Sequence, residues 1–146
     1  MGMILREAEV TYTGRRIDAQ RKISTAEHAN EILDAYGLHS RAQETFVVMY
    51  LNTKHQCLAV QTVAMGSLGS VEIHPREVFR GAVIAGAAAV ILAHNHPSGD
   101  TAPSRDDIEL TARLKQCGDL LGVPVLDHII TAQGGNYVSL ATLGAL

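Results

Sequence analysis

The feature that most constrains this chain is a run of five apolar residues, 89–93 (AVILA), that ends directly on His94-Asn95-His96 and then on Pro97-Ser98-Gly99. A run so short, apolar throughout and closed by a turn, reads as a strand buried on both faces, which must be covered from two sides. Residues 45–51 (TFVVMYL) have the same character, and residues 57–65 form a second strand returning beside them after a turn at 52–56. Helical patterns lie between the strands. Ala29, Ile32, Leu33 and Tyr36 recur at helical spacing behind Ser24-Thr25-Ala26-Glu27, a capping-box pattern with Glu27 as the reciprocal acceptor, and Gly37 stops the helix. Pro75 opens a second helix after His74, and the small residues of 81–89 suit close packing on a sheet. A third helix follows Pro103 and runs to about Leu121; residues 125–131 (VLDHIIT) and a short segment near 137–140 supply further strands. Helices interleaved with buried strands indicate an α/β fold built around one sheet.

Composition narrows the class. The 146 residues, 47% apolar and 18% charged, suffice for one domain whose core needs neither disulfides nor a structural metal, and they exclude disordered and coiled-coil chains. The nearly apolar run 81–93 is well short of the roughly 20 residues a membrane span needs. Acidic residues in MGMILREAEV stand where a secretory signal would have its apolar core, so a soluble, cytoplasmic protein is expected. A net charge of −3, no Trp and only two Phe and four Tyr give no pull toward nucleic acid and no base-stacking platform. Arg6, Arg15, Arg16, Arg21 and Lys22 read as a solvated arm, residues 8–13 as a weakly alternating short strand, and residues 66–70 as a flexible loop. Cys57 and Cys117 lack the CxxC spacing of a thiolate zinc site.

The chemistry concentrates after residue 93. Alternate residues of a strand share a face, so His94 and His96 offer two imidazoles to one ion at a strand end, where ligand sites of α/β sheets form. The Pro-Ser-Gly turn leaves the pair at a rim rather than in the core. Ser104-Arg105-Asp106-Asp107 opens the following helix and brings carboxylates back toward the turn. Two neutral imidazoles and one carboxylate match a zinc site that keeps a position for water. The bland alternatives are two exposed loop histidines and a helix cap formed by Ser104 and Asp107. Capping and metal binding by Asp107 read as largely exclusive, since a carboxylate held by metal is a poor amide acceptor.

The order His94-x-His96, seven residues, Ser104, two residues, Asp107 resembles the JAMM (MPN-plus) metalloprotease pattern at every spacing. The stretch 93–111 (AHNHPSGDTAPSRDDIELT), with HPREVF before it and VLDHII after it, resembles the JAB/MPN domain of the bacterial RadC family from about residue 24 to the C-terminus. The resemblance implies a single mixed β-sheet flanked by helices in the three-layer, cytidine-deaminase-like MPN architecture. It implies a domain over residues 24–146, an N-terminal arm or short strand over 1–23, and a short form without the family's helix-hairpin-helix region. It further implies one zinc ion per chain on His94, His96 and Asp107 with water in the fourth position. Glu44 is implied as the catalytic acid–base, and Ser104 as the stabiliser of the oxyanion. The expected activity is hydrolysis of peptide or isopeptide bonds, with a peptide or protein as partner and no membrane. The alternative is a DNA-repair-associated accessory or interaction module, against which charge and aromatic content argue. Asp100 and Asp106 are expected to face solvent. Asp127-His128 reads either as hydrogen-bonding support for the ligands or as a satisfied core pair. His28, His39, His55 and His74 lack partners at ligand spacing and are expected to be structural or on the surface.

Overall fold

Strict alternation along two central strands divides the core into two layers. The computed structural model describes Gly2 and residues 22–66 and 73–146. The strands are β1 (Thr45–Leu51), β2 (Cys57–Met65), β3 (Ala89–Asn95), β4 (Val125–Thr131) and β5 (Tyr137–Ser139). They form one sheet in the order β2-β1-β3-β4-β5. β3 and β4 are parallel and every other pairing is antiparallel, so the sheet is mixed. Helices α1 (Ala26–Tyr36), α2 (Pro75–Ala85) and α3 (Arg105–Leu121) flank it.

Every residue of β1 and β3 is buried, which explains why both read as unbroken apolar runs rather than as alternating ones. Phe46, Val48, Tyr50, Val90 and Leu92 pack with Val78, Phe79 and Ala82 of α2 and Leu110 and Leu114 of α3. Val47, Met49, Leu51, Ala89, Ile91 and Ala93 point the other way, onto Ala29, Ile32 and Leu33 of α1. The result is three layers, as expected: α1, the sheet, then α2 with α3. The small residues of α2 are used as the sequence suggested, for a Cβ at Gly81 would run into the Tyr50 hydroxyl and the Gln61 amide.

Local details differ from the sequence reading at three points. The α1 cap falls one residue later, on Thr25, which accepts from the His28 amide. The Ser24 amide is taken by His28 Nδ1, 3.2 Å away, so His28 and not Glu27 closes that cap. β3 continues through Asn95, which puts His94 inside the strand; β5 ends at Ser139. The strand expected over 8–13, the basic cluster at Arg6, Arg15, Arg16 and Arg21, and residues 67–70 lie outside the described residues. Among the described residues, no helix is long and apolar enough to cross a membrane.

Candidate metal centre

Sheet register decides what meets at the C-terminal end of β3. The antiparallel pairing of β1 sets Phe46 opposite His94, and continuing that register by two residues puts Glu44 across from His96. Parallel β4 runs beside β3 on its other edge. From there the chain turns through Pro97-Ser98-Gly99, and α3 begins at Arg105 with its first turn over the two histidines.

His94 Nε2 and His96 Nε2 are 2.9 Å apart. Asp107 Oδ1 lies 3.3 Å from His94 Nε2, and Asp107 Oδ2 lies 3.4 Å from His96 Nε2. Glu44 Oε1 approaches the same His94 nitrogen at 3.9 Å. Ligand atoms of Glu44, His94 and His96 all fall within 4.8 Å of one another. The structure therefore brings together all four residues singled out for metal and proton chemistry.

One sequence-based expectation needs correction. His94 does not stand at an exposed rim: only 2% of its side chain is accessible, and its ring stacks on Phe46 with centroids 6.2 Å apart. A strand covered on both faces carries its last residues into the core with it. Asp107 both caps α3 and faces the histidines. Its amide donates to Ser104 Oγ at 3.0 Å, and its Oδ2 accepts from the Ser104 amide at 2.9 Å. At the same time its two oxygens are directed one to each histidine. A carboxylate has about four acceptor directions, enough for both tasks.

The charge distribution follows. Burial opposes ionisation of Asp107, but its contacts with the two imidazoles and with the Ser104 amide outweigh it, holding the carboxyl well below the usual range. The hydrogen bond to Asp107 raises His96 above the ordinary imidazole value against its partial burial, with help from the Asp100 carbonyl and the charges of Asp107 and Glu44. His128 is fully buried, and burial, reinforced by the His94 charge, pushes it well below the ordinary value.

The donors suit a divalent transition ion. His96 Nδ1 lies 2.7 Å from the Asp100 carbonyl oxygen; that oxygen only accepts, so Nδ1 carries the hydrogen and Nε2 is the atom left for a ligand bond. Two ring nitrogens at 2.9 Å are stable only with a hydrogen or a cation between them, and an ionised carboxylate sits beside both. Nitrogen and carboxylate donors of this kind suit zinc.

Other residues fall into place around the site. Asp106 is exposed as expected. The Asp100 side chain accepts from the Ala102 amide at 3.0 Å, and its carbonyl meets His96 Nδ1. Asp127 ties β4 to the C-terminal segment through Ser139 and Ala141. His74 caps α2 by accepting from the Arg76 amide, and buried His39 bonds Asn30 at 2.8 Å. His55 turns the β1–β2 connection with φ 58°.

Sequence reasoning passed over two residues. Asn95, between the histidines, points to the opposite face and is 1% exposed. Its Oδ1 accepts from the Thr45 amide at 2.7 Å, and its Nδ2 reaches the carbonyls of Arg41 and Gln43 at 3.1 and 3.2 Å. Those bonds bracket Glu44, whose own carbonyl accepts from the Gly66 amide at 2.8 Å. The signal was a polar residue in line with Ala89, Ile91 and Ala93 on the apolar α1 face. The second is Thr111, one helical turn beyond Asp107 and on the same side of α3; its hydroxyl meets His128 Nδ1 at 2.5 Å.

The His-x-His strand end, the acidic helix start and a second carboxylate across the register together form a candidate metal site at one end of an α/β sheet. The chain matches the RadC-like JAB domain over residues 23–145, and it belongs to that family. It is similar to UPF0758 proteins of Bacillus cereus (strain AH187), Bacillus anthracis (strain A0248) and Bacillus thuringiensis subsp. konkukian (strain 97-27). Each is 55% identical over 102 residues, covering 70% of this chain and 45% of the relative. The chain thus spans less than half the length of these curated relatives.

Proposed function

We propose that this domain is a zinc-dependent hydrolase of the JAMM type, cleaving peptide or isopeptide bonds with one zinc ion on His94, His96 and Asp107. The observation that carries this reading is the convergence of two imidazole Nε2 atoms 2.9 Å apart with the Asp107 oxygens at 3.3 and 3.4 Å. Asp107 is the better third ligand because it faces both histidines, whereas Glu44 approaches His94 only at 3.9 Å. When bound, zinc supplies a Lewis acid that polarises the scissile carbonyl and brings the pKa of water to roughly 7.

Glu44 then has the proton work. Its side chain is 29% accessible, open enough to meet a substrate. Its carboxylate takes the proton of the attacking water and returns it to the leaving amine. Ser104 Oγ accepts from the Asp107 amide, which leaves its own hydrogen to donate to the substrate carbonyl oxygen as negative charge develops there. The test is to measure bound zinc and turnover on peptide and isopeptide panels for the wild type and Glu44→Gln. Stoichiometric zinc in both, with turnover lowered about 10²- to 10⁴-fold in the variant, is expected. A wild type that takes up no zinc, or a variant as fast as the wild type, contradicts the proposal.

A further inference from the structure

Behind His94 runs a chain of hydrogen bonds whose direction is fixed at its far end. Thr111 Oγ1 lies 2.6 Å from the Asp107 carbonyl oxygen, one turn back along α3. A carbonyl has no hydrogen to give, so the single hydroxyl hydrogen of Thr111 lies on that contact. Thr111 Oγ1 is also 2.5 Å from His128 Nδ1. With its hydrogen already committed, it accepts there, and His128 carries its hydrogen on Nδ1. In a neutral imidazole the other nitrogen is then a bare acceptor. That nitrogen, His128 Nε2, lies 2.7 Å from His94 Nδ1, so His94 Nδ1 is the donor. The opposite direction fails at the first link: it would set the Thr111 and Asp107 oxygens 2.6 Å apart with no hydrogen between them.

We propose that Thr111 and His128 are positioning residues that hold His94 as its Nδ1–H tautomer and aim its Nε2 lone pair at the point faced by His96 and Asp107. The relay starts on the backbone of Asp107 itself, so the helix turn that presents the carboxylate also sets the tautomer of the imidazole beside it. His128 is 0% exposed and Thr111 likewise, which shields both links from competing water. Phe46 fixes the ring planes, stacked on His94 at 15° and edge-on to His128 at 79°. His96 receives its Nδ1 hydrogen by a different route, toward the Asp100 carbonyl, and any hydrogen lying between the two Nε2 atoms is then carried by His96. The two imidazoles are thus preset independently, one by a buried side-chain relay and one by a loop carbonyl. The consequence for metal affinity rests on the zinc reading above; the tautomer does not.

The experiment is a long-range ¹H–¹⁵N correlation spectrum of the imidazoles in chelator-treated, ¹⁵N-labelled protein at about pH 8, above the ordinary histidine range. His94 and His128 should both carry hydrogen on Nδ1 and none on Nε2; His94 protonated on Nε2 overturns the proposal. Thr111→Val, which keeps the shape and removes the hydroxyl, should release His128 into a mixture of tautomers. Zinc competition against a chelator should show affinity about 10- to 100-fold weaker for Thr111→Val and His128→Phe. His128→Gln, whose amide oxygen can still accept from His94, should recover part of that loss. Unchanged zinc affinity in folded Thr111→Val and His128→Phe overturns the positioning role. Failure of the wild type to bind zinc would count against the hydrolase reading alone, and the tautomers would still decide for or against the relay.

Discussion

The two faces of β3 at its C-terminal end do different jobs with adjacent residues. On the α3 face, His94 joins His128, Thr111 and Asp107 in a network of side chains whose hydrogens and charges are tuned by burial and by one another. On the α1 face, Asn95 makes three hydrogen bonds, all to backbone groups of Arg41, Gln43 and Thr45. The first face fixes the hydrogens of ring nitrogens. The second fixes the position of a short segment of chain, and so of the Glu44 carboxylate it carries. On the function proposed above, metal affinity and proton transfer are supported separately, although the residues that support them alternate along a single strand.

The comparison can be broken by substitutions that ought to affect one face only. The largest effect belongs to Glu44→Gln, the turnover loss already given, with zinc binding retained. Next comes Asn95→Ala, which unpairs the buried Thr45 amide and removes the bonds to the Arg41 and Gln43 carbonyls and should cost about 1 to 3 kcal/mol in urea unfolding. A carboxylate displaced by about 1 Å should lower turnover up to about a hundredfold, while zinc affinity stays near the wild-type value. Thr111→Val should do the reverse, weakening zinc but regaining turnover when zinc is saturating. If Asn95→Ala and Thr111→Val alter affinity and turnover alike, the division between faces is wrong.

The smallest effect is on pH dependence in metal-free protein. His128 and His39 are both lowered from 6.5, chiefly by burial. Each therefore contributes stability that is present above 6.5 and lost as pH falls toward its folded value, because the unfolded chain binds the proton first. His96 is raised by its hydrogen bond to Asp107 and works oppositely, losing its contribution as pH rises through its folded value. Urea unfolding from about pH 6.5 to about pH 5 should show stability declining by at most about 1.4 kcal/mol per pH unit for each lowered histidine. His128→Gln should flatten that decline, and an unaltered slope would remove His128 from the account.

How much of this was legible in the sequence depended on the range of the signal. His94, His96 and Asp107 could be found because a strand's period of two and a fixed offset into the next helix are local properties. The burial of β1 and β3 was equally plain from their unbroken apolar runs. Glu44 was visible only through family resemblance, since its place opposite His96 comes from the register of β1 on β3, a tertiary property. That Asp107 caps the helix while facing both histidines was not legible, because spacing says nothing about how two carboxylate oxygens divide their acceptor directions. His128 was left between two readings for a similar reason: a histidine on a strand gives no sign that Thr111, 17 residues earlier in the chain, will meet its ring.

The most direct test of the central claim is a crystal structure of zinc-loaded protein with an anomalous difference map at the zinc edge. The account predicts one peak at about 2.0 to 2.2 Å from His94 Nε2, His96 Nε2 and an Asp107 oxygen, with Glu44 near it but not bound to it. A peak elsewhere, or one held by Glu44 in place of Asp107, would contradict it.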